Sequence, residues 1–345
     1  MISIITIFSC LAIFIIFLVH IMSMTSKKTQ FILLFALLFV AACGHQTDPN
    51  SSETRSFESQ LIKDVKYLSS DQLGGRETGS PGNDMAQRYI EQRFDSLGIE
   101  MFGNSYRQPF DQVITAVEGT ADTVEAINVI GYVKGERYPD DYIAITAHYD
   151  HLGQDGDTIY NGADDNASGT GGLMAAAEYF SENRPDHSII FIGFDAEEKG
   201  LAGARYFVNN PVVSKDQILI NINMDMISTN FENELYAVGT YHYPFLKPYI
   251  QDYTSDAPVN VLFGYDSNDW DQDWTLSSDH GPFHQEGIPF IYFGVEDHPH
   301  YHAPTDVFEN INPEFYVKAV ETIIDVIAQL DRDLDEIEEI SGQER

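Results

Sequence analysis

From about Ser56 onward the apolar positions recur with two alternating periods. In "FESQLIKDVKYLSS" and "NDMAQRYIEQRFDSLG" they fall three and four residues apart, which predicts amphipathic helices, the second closed by Gly98 as its C-cap. "AINVIGYVKG" and "DYIAITAHYD" are β-branched and aromatic runs of strand length, and "HSIIFIGFDA" and "ILININMDM" are two more. Between and after them, "SGTGGLMAAAEYFSEN" and "GLAGARYFVNN" show helical spacing. Strands in "ELYAVGT", "VNVLFGY" and "IPFIYFG", a short helix from about Phe245 and a long helix from Pro313 complete the pattern. Helix and strand alternate as in a sheet covered on both faces. The expected fold is therefore an α/β three-layer sandwich with a mostly parallel, mixed central sheet, forming one domain over residues 56–335, with an acidic tail at 336–345.

The first 43 residues follow a different rule. Two apolar runs, 1–22 and 31–43, flank "SMTSKKTQ". The second has a basic start at Lys27 and Lys28, an apolar middle and small residues at its end, the layout of a secretory signal over 24–43. Its close, Val40-Ala41-Ala42-Cys43, resembles a bacterial lipobox, in which the cysteine is acylated and becomes the mature N-terminus. Residues 44–55, "GHQTDPNSSETR", then read as a polar tether. Residues 1–23 are either an upstream mis-called start, with Met24 the natural beginning, or an additional membrane span of sufficient length. These features predict an exported protein, anchored to the bacterial cell envelope by lipid on Cys43. Cys10 and Cys43 are the only cysteines, so the mature domain has no disulfide to stabilise it.

Charge narrows the function classes. The chain carries 19 Lys and Arg against 54 Asp and Glu, a formal charge of −35, or −37 after loss of Lys27 and Lys28 with the signal. No basic surface is available for phosphate, which argues against nucleic acid as a partner. The densest acidic stretch, 266–273 ("DSNDWDQD"), lacks the glycine of a calcium loop and reads as a solvated loop.

Placed on the predicted strands, the polar residues converge. His148 and Asp150 close "AITAHYD", Glu197 and Glu198 follow "IIFIGFDA", and Asp225 closes "ININMD". Ligands of open α/β sheets bind at the carboxyl ends of strands, and three successive strands here deliver imidazole or carboxylate to that edge. Singly, each of these residues is what a turn or helix cap uses, as are Asp164 and Asp165 in "YNGADDNASG" and the polar loop "PHYHAPTD". Together they describe a cation site, since clustered buried carboxylates are costly without a counter-charge.

The ordered series His-x-Asp, Gly-Ala-Asp-Asp-Asn-Ala-Ser-Gly, Asp-Ala-Glu-Glu, Asn-Met-Asp and Tyr-His resembles the M28 family of zinc peptidases, which includes bacterial aminopeptidases. The resemblance covers residues 56–330, with the lead-in "LSSDQLGGRETGSPGNDMAQRYI". It implies the zinc-aminopeptidase form of the predicted fold and two Zn²⁺ ions bridged by Asp165, the second aspartate of its motif. His148 and Asp225 would complete one ion's ligands, Glu198 and His302 the other's. Glu197 would be the general base and Tyr301 a donor to the oxyanion. Asp150, two residues beyond His148 and so on the same side of an extended strand, is expected to accept the second imidazole N–H of His148. The resemblance further implies a cis peptide between Asp165 and Asn166, and hydrolysis of peptides from their N-termini. Two other readings stay open: a single-zinc glutaminyl cyclase, whose late His follows a Trp where Tyr301 stands here, and a non-catalytic binding lipoprotein.

Overall fold

The computed structural model describes residues 49–115 and 121–344. Two compact units divide the chain, Met1–Ser56 and Phe57–Arg345, and the second carries the sheet. The expected signal, Cys43 and residues 44–48 of the tether lie outside the described residues. Among those described, no helix is long and apolar enough to cross a membrane.

Helix α1 (Pro49–Leu68) buries Leu61, Val65 and Leu68, four and three residues apart on one face. Helix α2 (Pro81–Leu97) starts where the Ser80 side chain accepts from the Asn83 N–H at 3.1 Å and ends on Gly98 at φ 69°. Strands β1 (Arg107–Thr115), β2 (Ala121–Val133) and β3 (Tyr138–His148) follow, then a small hairpin of β4 (Gly153–Asp155) and β5 (Thr158–Tyr160). Helix α3 (Gly169–Glu182), β6 (His187–Phe194), α4 (Ala202–Asn209) and β7 (Ile218–Met224) alternate next. The remainder is β8 (Glu234–Val238), α5 (Lys247–Tyr253), β9 (Asn260–Leu262), α6 (His280–Gln285), β10 (Phe290–Gly294) and α7 (Pro313–Glu344).

The eight-stranded sheet runs β1-β2-β6-β3-β7-β10-β8-β9. Its centre, β6-β3-β7-β10, is parallel, while β1, β2 and the β8–β10 pair introduce antiparallel neighbours. Strands β3 and β6 are buried on both faces, which explains their unbroken apolar runs. On one face α1, α2, α3 and α7 pack Val65, Ile90, Leu173 and Ile323 into the main core; on the other, Phe207 of α4 and Phe283 of α6 cover Ile190 and Phe194. The three-layer α/β expectation holds.

Two details depart from the sequence reading. The expected acidic tail at 336–345 is largely helix, because the apolar stripe of α7 continues through Leu330, Leu334 and Ile337, and α7 runs to Glu344. Strand β1 was not anticipated: "RQPFDQVIT" contains Pro109 and few apolar residues, as suits an edge strand, and it pairs with β2 from Arg107↔Val129 to Thr115↔Ala121.

Candidate metal centre

The central parallel strands all point their carboxyl ends to one edge, and the site is assembled there. His148 is the last residue of β3, Asp225 follows β7, and Glu197 and Glu198 lie three and four residues beyond β6. His302 lies in the loop after β10. Asp165 comes from the tight segment 163–168 that leads into α3.

That segment is held by unusual local chemistry. The Asp165–Asn166 peptide is cis, as the family resemblance implies. Asn166 donates to the Met224 carbonyl at 2.9 Å and accepts from the Gly169 N–H at 2.8 Å. A Cβ on Gly169 would sit 2.3 Å from the Met224 carbonyl oxygen, so α3 can begin this close to β7 only with glycine there. Asp306 takes the N–H groups of both Asp164 and Asp165, at 2.9 and 3.0 Å. The Asp164 carboxylate turns away from Asp165's partners: Oδ1 accepts from the Ser228 N–H and hydroxyl, and Oδ2 lies 2.8 Å from His298 Nε2. Asp164 thus braces the loop rather than capping the helix.

Asp165 is the centre of the cluster. His148 Nε2 lies 3.3 Å from Asp165 Oδ1 and 3.3 Å from Asp225 Oδ1. On the other side, His302 Nε2 lies 3.0 Å from Asp165 Oδ2 and 3.4 Å from Glu198 Oε1. The two oxygens of one carboxylate therefore face two different imidazole–carboxylate groups. Donor atoms close enough to share one ion define His148, Asp165 and Asp225 as one set, and His151, Asp165 and Glu198 as another. His151, fully buried, was not anticipated from the sequence.

The donor set fits zinc. It mixes imidazole nitrogen with carboxylate oxygen, and donors about 2.0–2.1 Å from a tetrahedral ion are about 3.3 Å apart, the spacing found here. Among the described residues, buried His151 Nδ1, His151 Nε2 and Glu198 Oε1 have no hydrogen-bond partner, a state native proteins seldom tolerate without an ion or water. Burial would lift Asp165, but the imidazoles of His151, His148 and His302 outweigh it and hold this carboxylate well below its usual range. Burial likewise disfavours charge on His148, yet Asp225 and Glu197 raise it well above the ordinary histidine value. His302, bonded to Asp165 and Glu198, is raised to about 10. These shifts record the mutual attraction of buried imidazoles and carboxylates packed at one strand edge.

The residues around the cluster fix its strand ends. His148 Nδ1 meets the backbone carbonyl of Asp150 at 3.2 Å, while the Asp150 carboxylate is 3.7 Å away. The carboxylate was expected to take the imidazole N–H along an extended strand, but β3 ends at His148 and the chain turns. Asp150 instead accepts the N–H groups of Glu197 and Glu198, at 3.0 and 3.3 Å, and so sets the positions of both. Glu197 faces the cleft; burial, with Asp279 and Asp225 nearby, lifts its carboxyl well above the usual value against the pull of His148. Asp279 is fully buried, and neither of its oxygens has a hydrogen-bond partner among the described residues. Tyr301 is 38% exposed and stacks on His302 at 4.0 Å, its hydroxyl raised first by burial and then by Asp165 and Asp225.

Arg76, also missed from sequence, lies beneath the site. Its guanidinium is fully buried and donates to four backbone carbonyls: Leu68 (2.5 Å), Asn161 (2.6 Å), Tyr149 (2.8 Å) and Gly162 (2.9 Å). It ties the end of β3 to the segment leading to Asp165. Nearby, Thr78 and Asn83 of the lead-in donate to Asp195 at 3.1 and 2.9 Å. Of the acidic loop at 266–273, Asp266 is buried and accepts from the Gly239 and Tyr241 N–H groups, which makes it a structural anchor.

A mixed sheet whose central strand ends hold a shared-carboxylate cluster defines a metallopeptidase class. A model of peptidase family M28 matches residues 128–327, and the chain belongs to this family. Aminopeptidase YwaD of Bacillus subtilis is 34% identical over 200 residues, covering 54% of this chain and 41% of that protein. The glutamate carboxypeptidase 2 homolog of Caenorhabditis briggsae is 36% identical over 120 residues, 33% of this chain and 15% of that one. The chain thus matches less than half the length of these curated relatives. The fold is shared with the aminopeptidase of Aneurinibacillus sp. strain AM-1 (TM-score 0.66, 18% identity, 79% of this chain and 93% of that one). The glutaminyl cyclase of Bacteroides thetaiotaomicron also shares it (TM-score 0.61, 18% identity, 79% and 97%).

Proposed function

We propose that this chain is a di-zinc aminopeptidase that removes N-terminal residues from peptides, with Glu197 as general base. The observation that carries the reading is the division of Asp165, one oxygen toward His148 and the other toward His302. His148, Asp165 and Asp225 would hold one ion; Asp165, Glu198 and His302 the other. Zinc, when bound, supplies Lewis acidity and lowers the pKa of a coordinated water.

The protein's own residues do the rest. Glu197, lifted by burial and set in place through its N–H bond to Asp150, takes a proton from the attacking water and passes it to the departing amine. Tyr301, beside His302 at the cleft, would donate a hydrogen bond to the oxygen that becomes negative at the tetrahedral stage. Asp150 keeps Glu197 and Glu198 in separate roles by holding both backbones. The cleft, of about 630 Å³, has Asp273 and Asp297 at its lining in addition to the cluster, and no Lys or Arg among its described lining residues. That polarity suits a free, protonated N-terminus.

A panel of aminoacyl anilides and N-blocked peptides, run with and without chelator, tests the reading. Hydrolysis of free-amine substrates, its loss on chelation and its return with zinc are expected. No turnover across the panel would leave a binding protein instead. Ring closure of N-terminal glutamine peptides with one tight zinc would assign the cyclase reaction. We further propose export and lipid anchoring through Cys43, which metabolic labelling with a radioactive fatty acid checks: wild-type protein should be labelled and Cys43→Ala should not.

A further inference from the structure

We infer that a second cavity beside the cleft binds the protonated side chain of a basic residue in the peptide substrate. The inference deepens the aminopeptidase reading above and rests on it. The cavity, of about 420 Å³, shares no residue with the metal cluster and is lined by His242, Asp273, Thr275, Leu276, His284 and Gln285. Asp273 also lines the cleft, so the two spaces meet at this residue. A peptide held with its scissile bond at the strand ends can therefore extend past Asp273 into the cavity.

What the cavity can bind follows from where its protons lie. Thr275 has one hydroxyl proton and donates it to Asp273 Oδ1 at 2.5 Å, since a carboxylate only accepts. Its oxygen must then accept from His242 Nε2, 2.9 Å away. That puts the proton of the neutral imidazole on Nε2 and its lone pair on Nδ1. His284 is arranged in the same sense. The Tyr243 hydroxyl donates to the Ile288 carbonyl at 3.2 Å and accepts from His284 Nδ1 at 2.8 Å, which leaves the lone pair on Nε2. Burial, with the His242 ring 4.7 Å away, keeps His284 below the ordinary histidine value and therefore uncharged at neutral pH. Burial would lift Asp273, but the Thr275 hydroxyl and its N–H, the latter at 3.0 Å, hold it below the usual carboxylate range. Two imidazole lone pairs and one carboxylate charge thus belong to a cavity with no Lys or Arg among its described lining residues. Nearby, Arg205 donates to Gln285 Oε1 at 3.4 Å without lining the cavity.

Such a lining repels anions and calls for a cation that donates hydrogen bonds. A metal ion is not the occupant, because among the described residues three ligand atoms gather closely enough to share one only at the strand ends. An ammonium or guanidinium needs no such convergence, since its several N–H groups reach separate acceptors. Leu276, 49% exposed, offers apolar surface to the methylene stem of lysine or arginine.

Peptides carrying lysine or norleucine in turn at each of the first three positions test this on the zinc-loaded protein. At one position lysine should be preferred over norleucine by about 10-fold in kcat/KM, as fits charge-assisted hydrogen bonds at a site that solvent reaches. The difference should lie mostly in KM, because it comes from binding away from the scissile bond. The double variant His242→Phe, His284→Phe keeps the rings and removes the lone pairs, and it should lower the lysine preference at least about threefold. Asp273→Asn, at an exposed position, should lower it as well. The preference is a ratio taken within each variant, so a general loss of activity cancels. Hydrolysis of norleucine peptides with no lysine preference at any position overturns this inference and leaves the aminopeptidase reading standing, as does a preference that both variants leave intact. No hydrolysis of either series overturns both.

Discussion

The two ends of the central sheet use the same residue types in opposite ways. At the amino end of β6, His187 Nδ1 lies 3.0 Å from Asp331 Oδ1, and the two oxygens of Asp331 also accept the N–H groups of Asp186 and His187 at 2.7 and 2.8 Å. Tyr138 stacks on the imidazole at 4.5 Å, and Asp335 is 3.6 Å from its other nitrogen. Through Nδ1 this histidine is bonded within the protein and joins α7 to the sheet, while its Nε2 has no hydrogen-bond partner among the described residues. At the carboxyl end, His151 and Glu198 are equally close and make no hydrogen bond. The contrast lies in the facing pair: at the amino end Nδ1 and the Asp331 carboxylate are both hydrogen-bonded, whereas at the carboxyl end both close atoms, His151 Nδ1 and Glu198 Oε1, are left unsatisfied among the described residues.

The largest expected effect distinguishes ligand from base within the carboxyl end. Glu197→Gln should keep both zinc ions and the fold but lower kcat by about 100- to 10,000-fold, the usual worth of a general base. Near-normal turnover in that variant would remove Glu197 from the mechanism. Next, Asp165→Asn should bind zinc poorly and lose the rise in Tm that zinc gives the wild-type protein, since an ion that binds only the folded chain stabilises it. A variant still stabilised by zinc to the wild-type extent would show that Asp165 is no bridge.

The smallest effect belongs to the amino end. Asp331 raises His187 above the ordinary histidine value, against the opposing effect of burial. A raised folded value means that the charge-linked stability is fully present below the unfolded pKa of about 6.5 and fades as pH rises through the higher folded value. His187→Gln should therefore cost about 1–2 kcal/mol in denaturant unfolding at pH 6, with a smaller cost at alkaline pH. Zinc binding should not change. An equal cost at both pH values would remove the ionic part of the comparison.

How much of this was legible in the chain depended on whether a residue's neighbours in sequence are its neighbours in space. The parallel centre was legible because β3, β6 and β7 are buried along most of their length, with β3 and β6 written as largely apolar runs and β7 interrupted only by Asn221 and Asn223, and they lead to His148, Asp195 and Asp225. Asp165 was selected over Asp164 by the family resemblance, as the second aspartate of its motif, and the structure places the two carboxylates in different surroundings. The role of Asp150 was drawn from two-residue strand periodicity, which stops applying where β3 ends. His151 was passed over for the same reason: in "HYDHLG" it reads as loop, and only the turn after His148 brings it beneath His302. Arg76 gave no apolar signal, since arginine is rarely buried, and its four carbonyl partners come from segments up to 86 residues away. The flanking glycines of "LGGRETG" were the available hint of a tightly folded segment.

Calorimetric titration of the metal-stripped protein with zinc tests the central claim most directly. Two tight equivalents are predicted for the wild-type chain, with both lost or severely weakened in Asp165→Asn. One equivalent in the wild type, or a second that survives the loss of Asp165, would contradict a pair of ions sharing that carboxylate.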